Sequence, residues 1–285
     1  MIKAGLILEG GAERGVFTAG ALDLLLEQDF RFEYVCGVSA GACNAVDYVS
    51  EQPGRTRDAM IPKDKSYRMA KISTIPTQHS LIDMDMLFDS FPNELIPFDY
   101  QTYFASPIRC EMVVTNCETG EAEYLDDRSN EKRFMDMCRA SSSIPVFSQP
   151  VLIDGTMYVD GGVGDAVPLL HSMEYGYRKN VVILTRQKGD RKKAPGKVSE
   201  AVYSAVFRRY PKLVRKLMTR HLEYNKMSSL IEKWEDEGKI FVLRPEIQPV
   251  DRLEMDPEKL TPFYRHGYEL MESRLPELKE YLGID

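Results

Sequence analysis

The alternation of short apolar runs with helical stretches at the start of the chain most constrains how it can fold. Residues 3–8 and 34–38 are short apolar runs, which are typical of buried strands. Residues 16–27 and 40–49 follow these runs and carry apolar residues at helical spacing. Two strand-then-helix units within about fifty residues predict a parallel sheet covered by helices.

Similar signals continue to about residue 186, and a more basic and more helical region follows. The sequence predicts strands at 108–116, 121–125, 151–153, 157–159 and 181–185, and helices at 81–91 and 131–140. Beyond residue 186, helical spacing covers 199–234 with a break near Pro211, a last strand is predicted at 239–243, and 257–281 is mostly helical and acidic. The pattern as a whole indicates an α/β protein with a helical C-terminal part.

Charge and cysteine usage exclude some classes of protein. The formal net charge is −7 at pH 7, so the whole chain is not a nucleic-acid binder by charge. The five cysteines show no C-x-x-C pair and no zinc-ligand spacing, which favours buried free thiols over disulfides. No run approaches the ~18 uninterrupted apolar residues of a membrane helix, and the first apolar run is too short for a signal peptide. We therefore expect a cytoplasmic protein.

The stretch Gly37-Val38-Ser39-Ala40-Gly41 has the G-x-S-x-G pattern and lies between a predicted strand and a predicted helix. A sharp strand-to-helix turn of this kind exposes the serine hydroxyl as a nucleophile and needs small neighbours, here Gly37, Ala40 and Gly41. The alternative is that Ser39 only caps the following helix. Because the turn follows only the second strand, it comes too early for a typical α/β-hydrolase.

Two further stretches would have to meet Ser39. The loop Gly10-Gly11-Ala12-Glu13-Arg14-Gly15 separates the first strand from the first helix, so its amides can converge as an oxyanion hole. A nucleotide phosphate loop is the alternative, but neither G-x-x-x-x-G-K-[ST] nor a strict G-x-G-x-x-G is present. The second stretch is Asp160-Gly161-Gly162, which follows a predicted strand. Asp160 at the end of this strand could act as a base, and the alternative is an ordinary turn.

Together these motifs resemble the patatin-like phospholipase family, whose pattern is G-G-G-x-[KR]-G, then G-x-S-x-G, then D-G-[GA]. A fourth stretch, 140–147, resembles the family's A-S-x-A-x-P-x-x-F segment. The resemblance covers roughly residues 3–190, and the remainder is similar to a bacterial subgroup of patatin-like esterases. It implies a three-layer α/β/α sandwich with a mostly parallel central sheet. Residues 1–190 would form the catalytic domain, and residues 191–285 a mostly helical region packed on it.

The resemblance also implies a chemistry. Ser39 would be the nucleophile and Asp160 the base of a dyad, with Gly161 and Gly162 supporting the aspartate. The oxyanion loop would comprise Gly10, Gly11, Ala12, Arg14 and Gly15. The function implied is a serine acyl hydrolase of carboxylic esters, with a lipid or small ester as substrate and no metal or cofactor. The alternatives are an acyltransferase that uses the same acyl-enzyme and a non-catalytic lipid-binding protein.

The chain departs from the family pattern at two positions. Ala12 replaces the third glycine of the loop, and Asp165 stands where many members have asparagine. None of the four histidines, which include His79 and His171, lies in a motif. This favours a dyad over a triad that contains histidine.

The basic, partly apolar stretch 188–220 is compatible with two interpretations. A basic amphipathic helix can lie on an anionic membrane, here at the inner face, or it can pack on the protein with its basic face in solvent. No aromatic interleaving or nucleic-acid motif accompanies the charge, so we expect no nucleic-acid partner. The polar segment 51–79 is a candidate rim or lid over the site. The methionines in and near it line an acyl groove or belong to the core (Met60, Met69, Met84 and Met86).

Overall fold

The structure, a computed structural model, describes residues 1–61 and 82–284 and contains an eight-stranded mixed sheet. Its strands are β1 (Ile2–Leu8), β2 (Phe32–Val38), β3 (Arg109–Asn116), β4 (Ala122–Leu125), β5 (Val151–Ile153), β6 (Thr156–Asp160), β7 (Asn180–Ile183) and β8 (Phe241–Leu243). The order is β5-β6-β3-β2-β1-β7-β8, with β4 paired to β3. The five strands from β3 to β8 in this order are parallel, and β4, β5 and β6 are joined by antiparallel pairings.

Helices connect and cover these strands. They are α1 (Gly15–Glu27), α2 (Ala40–Val49), α3 (Arg55–Met60), α4 (Tyr100–Ala105), α5 (Glu131–Ser141), α6 (Leu169–Glu174), α7 (Lys197–Val206), α8 (Pro211–Asp236), α9 (Pro257–Ser273) and α10 (Leu275–Leu282). In the described ranges 1–61 and 82–284, no helix combines the length and apolar character needed to cross a membrane.

The segment predicted as a helix over 81–91 differs from a regular α-helix. Residue 81 lies outside the described residues, and Met86–Leu95 is a π-helix with Pro92 inside it. Proline lacks the amide that an α-helix needs at an interior position, so an irregular helix is expected there.

Two buried layers flank the sheet. Along β1, Leu6 and Leu8 belong to the core shared with α1, α2 and α9, while Ile7 between them belongs to the core shared with α6 and α8. Alternate residues of a strand point to opposite faces, so both faces of the sheet are covered. This arrangement confirms the predicted three-layer α/β/α sandwich. All five cysteines are free, and all except Cys43 are fully buried.

The C-terminal region contributes to both the sheet and a helical layer. Strand β8 pairs in parallel with β7, and α9 packs on α1. Two glycines permit this close helix contact. A Cβ on Gly20 would lie 2.1 Å from the carbonyl oxygen of Tyr264, and one on Gly267 would lie 2.0 Å from that of Phe17. The C-terminal region thus shares the sheet and one helical layer with the rest of the chain. The predicted boundary at residue 190, between a catalytic domain and an accessory region, stays a prediction.

Candidate active site

Ser39 lies in a strained turn between β2 and α2, with φ 56° and ψ −124°. A positive φ is uncommon for residues other than glycine, and strained backbone conformations of this kind cluster at functional sites. The serine occupies the N-cap position of α2, but its side chain makes no capping hydrogen bond. Helix capping therefore does not explain this residue.

The two glycines of the turn are required by close backbone contacts. A Cβ on Gly37 would lie 2.3 Å from the carbonyl oxygen of Gly41. A Cβ on Gly41 would lie 2.4 Å from the carbonyl oxygen of Leu8. The turn thus packs directly on the end of β1, as the small-residue pattern predicts.

Asp160 reaches Ser39 because of the register of the sheet. Strand β3 extends past β2, and β6 pairs with this extension. Val38 pairs with Val113, and Asp160 pairs with Val114, one residue further along β3. The Ser39 hydroxyl lies close enough to the Asp160 carboxyl to lower its pKa, and both residues are 6% exposed.

The electrostatics of Asp160 combine a large burial effect with several stabilising contacts. Burial raises the pKa of this carboxyl above its ordinary value, because an ionised group loses hydration there. The Ser39 hydroxyl and the Gly162 amide, which donates to Oδ1 at 2.7 Å, act in the opposite direction. The positive charges of Arg252 and Arg220 also lower this pKa. The site therefore holds a desolvated, hydrogen-bonded carboxylate against a serine hydroxyl.

The segment 140–147 holds both members of this pair in place. The Ser141 hydroxyl accepts from the Ser39 amide at 2.9 Å and donates to the carbonyl of Val113 at 2.7 Å. The carbonyl of Ser143 accepts from the Asp160 amide at 2.9 Å. The sequence motif identified this segment, but its role in fixing the two backbones needed the structure.

The glycine-rich loop lies against the serine turn. A Cβ on Gly10 would lie 2.8 Å from the carbonyl oxygen of Val38 and 3.0 Å from the Ser39 Cβ. Ala12 has φ 50°, the left-handed conformation that favours the glycine found at this place in the family pattern. Among the described residues, the amides of Gly10, Gly11 and Ala12 donate to no protein acceptor. These three amides can therefore donate to a bound ligand, as the predicted oxyanion loop requires.

Arg14 and Gly15 belong to the predicted oxyanion loop but serve its structure. Their amides donate within the loop, to the carbonyls of Gly11 and Ala12. The Arg14 Nε donates to the carbonyl of Val250 at 2.8 Å and so braces the loop. A Cβ on Gly15 would lie 2.8 Å from that of Ala40, so the glycine lets α1 approach α2.

An apolar cavity opens on one side of Ser39. Its empty volume is about 1060 Å³ including the open mouth. Apolar residues dominate its lining (Ala12, Ala40, Val46, Met60, Ile82, Met84, Leu87, Phe88, Phe91, Phe98, Met135, Ile144 and Met255 among them). Met60 and Met84 are buried core residues that also line this cavity, Met86 is buried elsewhere in the core, and Met69 lies outside the described residues.

Ser39 also lines a second, polar cavity. Its empty volume is about 530 Å³ including the open mouth, and it reaches Gly10, Asp160 and Gly162. We call it the cationic cavity because five basic side chains line it: Arg14, Arg186, Lys192, Arg220 and Arg252. The basic composition of 188–220 is visible in the sequence, but the convergence of two of its members on the serine is not.

Two buried glutamates near the site were not predicted. Glu9 is 2% exposed and accepts from the Thr185 amide and the Tyr224 hydroxyl, each at 2.7 Å. Glu13 lies on the wall of the apolar cavity, where burial and, second, the charge of Glu254 raise its pKa to about 8. The sequence indicates a role for Glu13 only through its position inside the glycine-rich loop, between Ala12 and Arg14.

The histidines and Asp165 occupy other places. Across residues 1–61 and 82–284, no histidine lines either cavity, and His79 lies outside those residues. His171 stacks on Tyr124 and contacts Glu111. Asp165 accepts from the Tyr124 hydroxyl at 2.9 Å, so aspartate makes a polar contact at this position as well.

The fold and this geometry define an α/β protein with a strained serine turn, a facing aspartate and an adjacent loop of unpaired amides. The profile of the patatin-like phospholipase family matches residues 6–172, so the chain belongs to that family. Residues 210–283 match a domain of unknown function, DUF6363.

Several known proteins are similar to this chain. The uncharacterized protein YjjU of Escherichia coli (strain K12) is 29% identical over 196 residues, which span 64% of this chain and 52% of YjjU. The 1-acylglycerol-3-phosphate O-acyltransferase Pnpla3 of Mus musculus is 28% identical over 137 residues, 47% of this chain and 32% of Pnpla3. The crystal structure of VipD from Legionella pneumophila superposes with a TM-score of 0.54 at 14% identity, covering 96% of this chain and 67% of VipD. The chain thus spans about half of YjjU and a third of Pnpla3, and the likeness to VipD concerns the fold.

Proposed function

We propose that the protein is a serine acyl hydrolase that cleaves carboxylic esters, with lipid acyl esters as its substrate class. The observation that carries this proposal is that Ser39, in a strained turn, lines the same cavity as the buried Asp160 carboxyl. Family membership supports it, because the motifs of patatin-like phospholipases coincide with the residues that meet here.

The geometry supports a two-step reaction. Asp160 accepts the Ser39 proton as the hydroxyl oxygen attacks the ester carbonyl. The amides of Gly10, Gly11 and Ala12 stabilise the negative oxygen of the tetrahedral intermediate. Its collapse releases the alcohol, which takes the proton from Asp160, and leaves an acyl-enzyme on Ser39. Water then loses a proton to Asp160 and attacks the acyl-enzyme. The bond to the Ser39 oxygen breaks, that oxygen takes the proton back from Asp160, and the carboxylic acid is released.

The two cavities indicate how the ester lies. The apolar cavity has the lining and size to take an acyl chain, because apolar walls with few polar groups are typical of sites for such ligands. The alcohol portion of the ester then extends into the cationic cavity.

Acyl transfer is the second candidate reaction. The same acyl-enzyme can be intercepted by an acceptor alcohol instead of water, and the relative Pnpla3 is named as an acyltransferase. Comparing acyl transfer to glycerol or a lysolipid with release of free acid, in one assay, would separate the two reactions.

We also propose peripheral contact with an anionic membrane at its cytoplasmic face, through α7. The valines Val198, Val202 and Val206 recur every four residues and are 79%, 38% and 55% exposed. Basic residues flank this apolar face (Lys193, Lys197, Arg208 and Arg209). An apolar stripe bordered by cations is suited to the interface of an anionic bilayer.

The first experiment is intact-mass analysis after treatment with a fluorophosphonate. The wild type should gain one adduct, and Ser39→Ala should gain none. Ser273→Ala, which removes an exposed hydroxyl at the end of α9, is the matched control and should label like the wild type. A folded wild type that gains no adduct, with or without anionic vesicles, and binds vesicles without turnover would instead be a lipid-binding protein.

A further inference from the structure

We propose that segment 250–255 is a positioning element, which holds the glycine-rich loop in the conformation that binds the oxyanion. The segment lies outside the matched phospholipase profile, residues 6–172, and inside the domain of unknown function, residues 210–283. This inference rests on the proposed function and gives the C-terminal region a part in the reaction itself.

The glycine-rich loop contains few hydrogen bonds that could fix its shape. Ala12 has φ 50°, and a strained conformation of this kind persists only where the surroundings impose it. In the described ranges, the amides of Gly10, Gly11 and Ala12 donate to no protein acceptor, and an oxyanion needs them free. The Thr185 hydroxyl donates to the carbonyl of Gly10 at 3.1 Å, which attaches one end of the loop. The other end needs an attachment of its own.

Segment 250–255 supplies that attachment where the loop leads into α1. The Arg14 Nε donates to the carbonyl of Val250 at 2.8 Å. The Glu13 amide donates to the carbonyl of Arg252 at 3.4 Å. The three free amides of the loop therefore lie between an attachment to the sheet region and an attachment to the C-terminal region.

The segment is itself held in shape by specific contacts. The Glu254 carboxylate accepts from the amides of Met255 and Asp256, each at 3.1 Å. It also accepts from the Lys259 ammonium at 2.9 Å. Val250 packs against the core cluster that α1, α2 and α9 share. The acceptor carbonyls of the segment therefore belong to an ordered turn.

Helix packing keeps the segment and the loop together. Helix α1 begins directly after the glycine-rich loop, and α9 begins directly after the turn of the segment. Across the contact of these two helices, the rings of Phe17 and Phe263 lie 5.5 Å apart, and the Tyr264 hydroxyl donates to the Asp23 carboxylate at 2.6 Å. The packing of α9 on α1 thus sets the position of the segment relative to the loop.

Side chains of the same segment reach the surroundings of Ser39. Arg252 lines both cavities together with Ser39, while Leu253 and Met255 line the apolar cavity. Burial raises the pKa of Asp160, and the positive charge of Arg252 acts against this effect. A displacement of the segment would therefore change the loop and the surroundings of the base together.

Displaced oxyanion donors have a specific kinetic signature. They stabilise a charge that develops in the transition state and is absent from the bound substrate, so their displacement lowers kcat with little change in KM. A misplacement of about 1 Å costs about 10²-fold in rate. A contact that only stabilised the fold would leave kcat and KM of the folded protein unchanged.

The first test is Val250→Gly, assayed with the soluble neutral ester p-nitrophenyl butyrate. The change removes the side chain that anchors the segment and loosens the backbone that carries the acceptor carbonyl. It should lower kcat by about 10- to 100-fold with KM nearly unchanged. Ile247→Gly is the matched control in the same loop, since Ile247 is 46% exposed and lines neither cavity, and it should keep the wild-type kcat.

Arg14→Met is the second variant, for the case that Val250→Gly does not fold. It removes the donor of the same hydrogen bond and should lower kcat by a similar factor, and Arg14→Lys, which keeps a donor, should restore part of the loss. Because the two changes break one contact, the double variant should lose no more than the weaker single variant. Losses that multiply would overturn the proposal, since Arg14 would then act without the segment.

Hydrogen exchange followed by mass spectrometry reports on the loop without turnover. Exchange in a peptide spanning residues 9–16 should be faster in Val250→Gly and in Arg14→Met than in the wild type, and unchanged in Ile247→Gly. Wild-type exchange and kcat in a folded Val250→Gly would overturn the positioning role and leave the proposed function intact. A wild type without Ser39-dependent turnover would refute the proposed function, and the exchange rates would still decide whether the segment holds the loop.

Discussion

At the scale of single residues, the proposed reaction requires the buried Asp160 to be ionised when it accepts a proton. Burial raises the Asp160 pKa, and a base must be deprotonated to accept the Ser39 proton. Activity should therefore fall, as the pH decreases, at a value above the ordinary aspartate pKa of 3.8. The measurement is kcat/KM against pH with a neutral soluble ester.

Two variants sharpen this prediction. Asp160→Asn should lose about 10²–10⁴-fold in kcat while keeping the wild-type fold, because the base is removed. Arg220→Gln should move the acid limb to higher pH, because the positive charge that lowers the Asp160 pKa is lost. An acid limb at or below 3.8 in the wild type would contradict the assignment of Asp160 as the base.

Glu13 gives a separate prediction about stability. Its pKa is about 8 in the folded protein and near 4.5 when unfolded, so the unfolded state releases its proton at lower pH. Its contribution to folding is fully present below pH 4.5 and is lost as the pH rises to about 8. Glu13→Gln removes the titrating group, so its stability should not fall over this pH range. Relative to the wild type, its free energy of unfolding should rise by a few kcal/mol between pH 5 and 8.

Urea unfolding at several pH values measures this difference. Glu280→Gln, which changes an exposed side chain on α10, is the control and should follow the wild type. Parallel pH dependence in the wild type and Glu13→Gln would show that Glu13 is ionised in the fold.

Some residues of the site can be predicted from local sequence motifs, and others cannot. Ser39, Asp160 and the two turn glycines are readable because a tight turn and a strand end restrict which residues fit. Arg186 and Lys192 come from one loop, Arg220 from α8 and Arg252 from the loop before α9, and none of these residues lies in a motif. Their convergence depends on how α8 and the loop before α9 pack on the strand ends, which no local pattern expresses.

At the scale of elements, the contact between α1 and α9 shows how a distant region completes the core. Gly267 of α9 places its backbone against the carbonyl of Phe17, where a Cβ would lie only 2.0 Å away. Gly267→Ala must push the helices apart, and overpacking of this kind destabilises by about 1–3 kcal/mol. Thermal or urea unfolding measures the loss.

Gly196→Ala is the matched control for this prediction, since a Cβ there would meet no atom within 4 Å. Equal stability of Gly267→Ala and the wild type would mean that α9 is held less closely to α1 than the structure shows.

Secondary structure was more predictable than packing. The bounds predicted for α2 and β5 agree with the structure, because α2 carries apolar residues at helical spacing and the Asp154-Gly155 turn ends β5. The π-helix at Met86–Leu95 was not predicted, since helical spacing does not distinguish it from an α-helix. The role of the glycines in α1 and α9 could not be predicted, because each allows close contact with a helix that is far away in the sequence.

At the scale of the whole molecule, the basic stretch 188–220 divides between two surfaces. Lys192 and Arg220 face the cationic cavity, while α7 presents its valines to solvent beside Lys193 and Lys197. Tyr203 and Phe207 anchor this helix region in the core cluster that contains Val163, close to Asp160. A membrane contacted through α7 would therefore lie on the same side of the protein as the core cluster beside Asp160.

The membrane contact can be tested separately from the chemistry. Val198→Asp and Val202→Asp should together weaken binding to anionic phosphatidylglycerol vesicles by about tenfold or more, because two apolar contacts are replaced by charges that the surface repels. Hydrolysis of a soluble neutral ester should change little, since neither side chain lines a cavity. Leu222→Asp, an exposed apolar position on α8, is the matched control and should bind vesicles like the wild type. Sedimentation with sucrose-loaded vesicles measures the binding, and equal binding by the double variant and the wild type would rule out α7 as the contact surface.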